Sequence, residues 1–437
     1  MIKNRFLWGC GCVLSVLVLG ACTKKELPVG TRISVLTEST AIKPDVTNGS
    51  SFIKIAEVSS PANWLQKEAN ARHVMPNAKA SSDFKKQWKT DFGTGSSKRE
   101  VLLAKPLVRN NTIYTLDAEG RLSAFNLEDG KDLWQIELVG NDNNIGEMAL
   151  KGVGLALENN LIYVTTGYGV VIAVNATDGS KVWENNLATP LRIAPTVAAG
   201  KVFVQSADNH FFALSTENGE ILWDYDTAME NTTLMGGAMA AYAKEYDIVV
   251  TGFSNGEAQA FGATIGTPLW SSDLVENSYA YSSTYLHTIK ASPVVDGGVV
   301  YLLGSADVFT AIDMRNGAPK WSKKIGGVTT PLLSGNTLFV LTGNNELIAV
   351  NKENGDVLWA TALDLGKNAS KITVHAPVMV NNLLLIALSD GNVLSYNPQT
   401  GKQVGKFDTD EDLNASPIVA GGYIIFTTSN AKIVAYK

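Results

Sequence analysis

Beyond residue 22 the chain has no cysteine. All three, Cys10, Cys12 and Cys22, fall in the first 22 of 437 residues. The body therefore offers no thiol for a disulfide, a cysteine-ligated zinc site or a cysteine nucleophile. Histidine is almost as scarce: His73, His210, His287 and His375 stand far apart, with no second histidine at metal-ligand spacing. That spacing argues against a zinc centre. Charge is sparse as well. Charged residues make up 18% of the chain, 36 basic against 42 acidic, for a net charge of −6. No basic footprint marks a nucleic-acid partner.

What the chain does have is a repeat. Residues 105–134 read as a four-stranded meander. An inner strand at Pro106-Leu107-Val108 is followed by Thr112–Leu116, a turn at Ala118-Glu119-Gly120, a third strand at 121–125 and an Asp129-Gly130 turn that delivers Trp134. Short β-rich runs bounded by Gly and Asn/Asp are hairpin signals. The pattern returns at 160–183, 195–223, 246–270, 293–321, 331–359, 377–407 and 417–436. A small residue holds one place in the third strand: Ala124, Ala173, Ala213, Ala260, Ala311, Ala349, Ser395 and Ala435. Small side chains there suit sheets packed closely face to face. A turn glycine follows, then an aromatic expected between neighbouring sheets: Trp134, Trp183, Trp223, Trp270, Trp321 and Trp359, with Phe407 in the seventh unit. The spacing matches propeller blades, about 40–50 residues each.

The two ends complement each other. Residues 84–88, ending in Trp88, resemble the last strand of a repeat, and the chain stops at Lys437 after three strands of another. Joining them predicts an all-β, eight-bladed propeller of four-stranded blades over 84–437, its ring closed by the strand near Trp88. Closure of this kind removes open sheet edges. A seven-bladed count requires the weak unit at 246–270 to be an insertion.

The N-terminus reads as a targeting segment. Lys3 and Arg5 precede an apolar stretch at 6–19, too short for a comfortable membrane span. It ends in Leu19-Gly20-Ala21-Cys22, which resembles the lipobox of bacterial lipoproteins. That resemblance implies a signal peptide at 1–21, a lipidated Cys22, and, with Thr23 after it, export to the outer membrane. The bland alternative is an ordinary secretory signal or short anchor. Residues 22–83 then form a tether and lead-in. Within it, Trp64, Asn70 and His73 are similar to a W-x-x-x-G-G-N-x-x-H lead-in found before quinoprotein-type propellers, with Lys67-Glu68-Ala69 where glycines are expected. The alternative there is a linker with one anchoring Trp.

No catalytic constellation emerges. Gly252-Phe253-Ser254-Asn255-Gly256 matches G-x-S-x-G in form, but it sits at a hairpin turn, not at a strand-to-helix elbow. Gly152-Val153-Gly154 and Gly167-Tyr168-Gly169 lack the third glycine and the helix that phosphate binding requires. The connections after Trp134 and Trp270 are the longest, as functional loops often are. The one after Trp183 carries Pro190-Leu191-Arg192-Ile193. An exposed Leu beside an Arg fits an interface anchor. Equally, Leu191 could cap the core.

The run Ala173-Val174-Asn175-Ala176-Thr177-Asp178-Gly179-Ser180-Lys181-Val182-Trp183 resembles the tryptophan motif of PQQ-type propellers. With the lipobox, the chain resembles the BamB family, lipoproteins of the outer-membrane β-barrel assembly (BAM) machinery. That resemblance implies a non-catalytic scaffold without a cofactor, anchored at the periplasmic face of the outer membrane. Its implied partners are the POTRA domains of BamA, the BAM complex and unfolded barrel substrates. Leu191 and Arg192, just before Ala194-Pro195-Thr196, match the family's Leu-Arg contact pair. Thr288 and Lys290 stand where the family uses acidic residues, a departure from its charge pattern. The alternatives are a PQQ-dependent periplasmic dehydrogenase and a propeller that binds another envelope component. The dehydrogenases typically use an adjacent Cys-Cys disulfide and an acidic Ca²⁺ cluster, neither of which is recognisable here.

Overall fold

The computed structural model describes residues 41–45, 52–81, 83–97, 100–138, 151–230, 234–274 and 287–437. Ile42–Lys437 forms one compact unit. Cys22, the expected signal segment, and most of the long connections after Trp134 and Trp270 lie outside the described residues.

The unit is all-β, with the architecture of a β-propeller built from four-stranded sheets. Its strands pair into eight sheets among the described residues. Seven of these follow the chain in order, at 107–137, 154–186, 196–226, 241–273, 294–323, 332–362 and 378–408. The eighth combines Ile418–Ala420, Tyr423–Thr427 and Lys432–Tyr436 with Lys86–Asp91, more than 300 residues upstream. The unit around Trp270 is a full sheet like its neighbours, not an insertion.

Hairpin geometry follows from the turn residues. Asn110-Asn111, Asn159-Asn160 and Asn381-Asn382 all have positive φ, as do Gly297-Gly298 and Gly421-Gly422. Two consecutive residues of that kind make the tight turns whose twist matches paired strands. The first three strands of each sheet are mostly buried on both faces, and the fourth alternates exposed with covered positions, as in Asp132–Glu137. Sheets with both faces covered read as continuous apolar runs, and this chain does.

Neighbouring sheets are joined by the tryptophans. The indole N–H of Trp88 donates to the Leu127 carbonyl at 3.0 Å. In the same way Trp134 donates to Ala176, Trp183 to Thr216, Trp223 to Ala263, Trp270 to Met314, Trp321 to Lys352 and Trp359 to Pro398. Each acceptor lies in the next sheet, one turn before its glycine. A Cβ on Gly219 (φ +74°) would sit 2.5 Å from the Trp183 ring, so this turn accepts neither a side chain nor the strain of one.

The small third-strand residue lies in one core cluster with the neighbouring sheet, Ala124 with Leu155 and Val164, and Ala173 with Val197 and Val202. It also pairs across its own sheet with the Trp, Ala124 with Trp134 and Ala435 with Trp88, immediately before a bulge. A large ring can lie against the sheet there because its cross-strand partner is a methyl group. In the seventh sheet Ser395 pairs with Gly405, not with Phe407. Phe407 lies two residues further on the same face. It still bridges sheets, against Phe84 at 5.2 Å and against Phe426 and Tyr436 of the eighth.

Candidate functional site

The segment 52–81, expected as tether and lead-in, belongs to the folded unit. It crosses the turn ends of the inner strands and touches all eight sheets. Lys54 exchanges hydrogen bonds with Asn336, and Gly421 donates to the Pro61 carbonyl at 2.8 Å. Trp64, 2% exposed, pairs backbone to backbone with Val108. Leu65 accepts from Leu157, and the Gln66 side chain donates to Val197. Ala71 and Arg72 accept from Tyr242 and Val295, and Asn77–Ala78 adds in parallel to the seventh sheet. A linker held by one Trp is thereby excluded.

The turn 66–73 is sharply bent, with two residues in the left-handed region. Ala69 has φ +71° and His73 φ +61°. Asn70 holds the turn, its side-chain carbonyl accepting from Arg72 at 3.0 Å and its amide donating to Val74 at 2.6 Å. An alanine in the left-handed region costs about 1 kcal/mol that glycine would not. Ala69→Gly is therefore expected to stabilise the protein by about 1 kcal/mol in urea unfolding. An unchanged or lowered midpoint would contradict the strain.

This turn brings charged and titratable side chains against the residues that lead into the inner strands. Glu68 meets Lys105 at 3.5 Å, both side chains under 10% exposed, and Lys105 also donates to the Ser416 hydroxyl at 3.0 Å. His73 is fully buried, with Nδ1 2.7 Å from the Pro293 carbonyl. A carbonyl only accepts, so Nδ1 holds the proton. Burial lowers the His73 pKa, and it lowers that of His375 to about 4, so both rings are neutral near pH 7. Burial likewise pushes the Lys67 ammonium down. Glu68 opposes that shift, whereas nearby Lys105 and Lys290 add to it. Lys290, half-buried beside Gly236, is lowered by burial alone.

At the other end of the inner strands the loop after Trp183 is clamped to the third sheet. Ala207 donates to the Pro190 carbonyl at 2.7 Å, and the Thr189 hydroxyl donates to Asp208. This clamp turns Leu191 inward. Leu191 is fully buried, bridged to Ser206 and packed in the core with Trp183, Val197 and Val204. Of the two readings of Leu191, the exposed anchor is corrected and the core cap holds. Arg192 is exposed beside it, and Thr288, in the neighbouring loop, is buried. The remaining motifs have structural places. Residues 253–256 form the turn between Ile248–Gly252 and Glu257–Gly262, and Gly154 opens a strand. Among the described residues no three His, Cys, Asp or Glu side chains gather as a metal site.

The family model for the outer membrane protein assembly factor BamB matches residues 118–361 and 326–437. The chain belongs to the BamB family. The outer membrane protein assembly factor BamB of Yersinia pestis is 25% identical over 382 residues, 86% of this chain and 95% of that one. The BamB crystal structure from Moraxella catarrhalis superposes with TM-score 0.67 at 19% identity, covering 80% of this chain and all of that one. A quinohemoprotein alcohol dehydrogenase of Pseudomonas putida gives TM-score 0.66 at 14% identity, covering 86% and 80%, a likeness of fold alone. BamB membership gives the chain its role in outer membrane protein assembly. The signals missed in the sequence lie in the turn 66–73, whose charged residues carry no repeat pattern.

Proposed function

We propose that the protein is a non-catalytic, lipid-anchored subunit of the outer-membrane assembly complex, working as a closed eight-bladed propeller that holds the POTRA domains of BamA. The observation that carries this reading is the family match over 118–437, together with an exposed Arg192 on a loop clamped to the third sheet. A rigid frame presenting one guanidinium at a fixed place suits a carboxylate or carbonyl on a partner. Eight sheets, each joined to the next by an aromatic, and a fourth strand supplied by Lys86–Asp91 support a closed ring. Closing the ring leaves each sheet only its outer edge unpaired.

Two further parts of the proposal concern the membrane and the substrate. Acyl chains on Cys22 would provide the membrane affinity, since multiple chains anchor stably where one does not. The fourth strands carry exposed aliphatics at one repeating place, Leu133, Val182, Leu222, Leu269 and Val404. Their outer edges offer backbone pairing to an extended barrel precursor.

Pull-down of the native protein from detergent-solubilised membranes tests the assembly role. Co-purification of a large β-barrel protein with periplasmic repeats is expected, and its consistent absence would remove the proposal. Cys22→Ser should abolish incorporation of a fatty-acid analogue while leaving the fold intact. Equal labelling of the variant and wild type would refute the anchor.

A further inference from the structure

We infer that the cleft between the first and second sheets binds an organic carboxylate, its head group paired with Arg109 and its apolar part against Leu133 and Trp134. The cleft, about 220 Å³, is walled on the far side by Ala176 and Thr177 of the second sheet. Arg109 ends the inner strand of the first sheet and is half-buried. Its Nη1 is buried without a hydrogen-bond partner, and no ion pair neutralises the guanidinium among the described residues. A buried donor of a charged group left unpaired is costly.

The repeat provides an internal comparison. Arg109 stands opposite the first residue of the second strand, Thr112. That place is alanine in three other sheets and glutamate, aspartate, serine or valine in the remaining four. Packing of the sheets therefore does not call for an arginine there. The fifth sheet shows what the place can do. Its Asp296 meets Lys352 of the sixth sheet at 2.8 Å, and Lys352 is the residue whose carbonyl accepts the Trp321 indole N–H. Between the first two sheets the corresponding carbonyl, which accepts from Trp134, belongs to Ala176. Opposite Arg109 a methyl group thus stands where the fifth and sixth sheets complete an ion pair. The missing half is an anion.

The surroundings narrow its chemistry. One guanidinium balances one negative charge, and its planar fork fits a carboxylate with two parallel hydrogen bonds. Thr177 Oγ1 accepts from the Asn160 amide at 3.1 Å, which leaves the hydroxyl proton to give to the same ligand. Exposed Leu133 and half-buried Trp134 line the cleft as an apolar wall. Water satisfies Nη1 but brings no charge, and chloride brings charge but leaves the wall bare. A carboxylate beside an aliphatic or aromatic group meets all three demands. The volume falls below the roughly 300–1,000 Å³ of sites for drug-sized molecules, so the bound group is of amino-acid size. This cleft lies at the turn end of an inner strand, whereas Arg192 precedes the inner strand of the third sheet, so the site is separate from the proposed partner contact.

Ligand-detected NMR titration of the full-length protein in detergent tests the inference. The probes are N-acetylleucine, N-acetylleucinamide, and a pentapeptide ending in leucine as free acid or as amide. Each acid should bind saturably, at least tenfold tighter than its amide, and chloride at equal concentration should not displace it. Tighter binding of the peptide acid than of N-acetylleucine identifies a chain terminus as the source, and equal binding a free acid. Arg109→Gln should weaken binding by about tenfold or more, with circular dichroism verifying the fold. Ala176→Glu, which sets a carboxylate where the sixth sheet has Lys352, should block the site by pairing with Arg109 itself. Should Ala176→Glu unfold, Arg109→Gln decides, because other sheets hold small or uncharged residues at that place. Arg315→Gln, on the fifth sheet and paired with Asp313, should bind like wild type. No saturable binding, equal binding of acid and amide, displacement by equal chloride, or undiminished affinity in Arg109→Gln would each overturn the inference.

Discussion

Deleting residues 86–91 is expected to abolish the cooperative unfolding transition of the whole unit, and Trp88→Ala alone should lower stability by about 3 kcal/mol. Among the described residues the strand Lys86–Asp91 is the only partner of the outer side of Lys432–Tyr436, with Trp88 opposite Ala435. Trp88 also reaches into the first sheet, where its ring covers the Gly130 turn and its N–H donates to Leu127. Thr90 adds a hydrogen bond to the Gly130 carbonyl at 2.8 Å. Loss of the strand removes both attachments at once and leaves a bare edge. Gln87→Ala, one residue away and exposed, should change stability by less than about 0.5 kcal/mol. Urea unfolding of the three variants checks the series. A Trp88→Ala midpoint equal to wild type would show that the proposed ring does not depend on this junction.

The second large effect separates two neighbours. Leu191→Ala should destabilise the protein by about 2–5 kcal/mol, because a fully buried side chain between Trp183 and Val204 leaves a cavity. Arg192→Ala should leave the melting temperature unchanged yet weaken binding to the isolated POTRA domains of BamA by about thirtyfold. Lys402→Ala, in an exposed turn of the seventh sheet, serves as control. Calorimetric binding paired with thermal melts distinguishes the two roles. Wild-type affinity in Arg192→Ala would withdraw the proposed contact, and an unshifted melt in Leu191→Ala would withdraw the packing account.

These two residues show what sequence can reveal. The tryptophans were legible because each recurs four residues after a turn glycine, and that spacing is local. For Leu191 the sequence left interface anchor and core cap equally open. Its orientation depends on Pro190 and Thr189 being fastened to Ala207 and Asp208, a contact between a loop and a turn. Phe407 was assigned by residue type where counting from Gly401 would have given Gly405, the position that pairs with Ser395. The turn 66–73 gave only a weak motif. Its weight lies in buried charges from distant sheets, and no periodicity marks those.

The segment 52–81 also has a consequence for how the chain reaches its fold. It precedes every sheet it touches, and its contacts span long stretches of chain, with Lys54 and Asn336 separated by 282 positions. Closing loops of that length carries an entropic cost before any contact rewards it. The strand at Trp88 likewise waits for Lys432–Tyr436, the last strand of the chain. That strand therefore cannot pair until the final sheet has formed, which sets this fold among the slow ones. In refolding experiments pairing of Lys86–Asp91 with Lys432–Tyr436 should be among the last events, well after the intervening hairpins have formed.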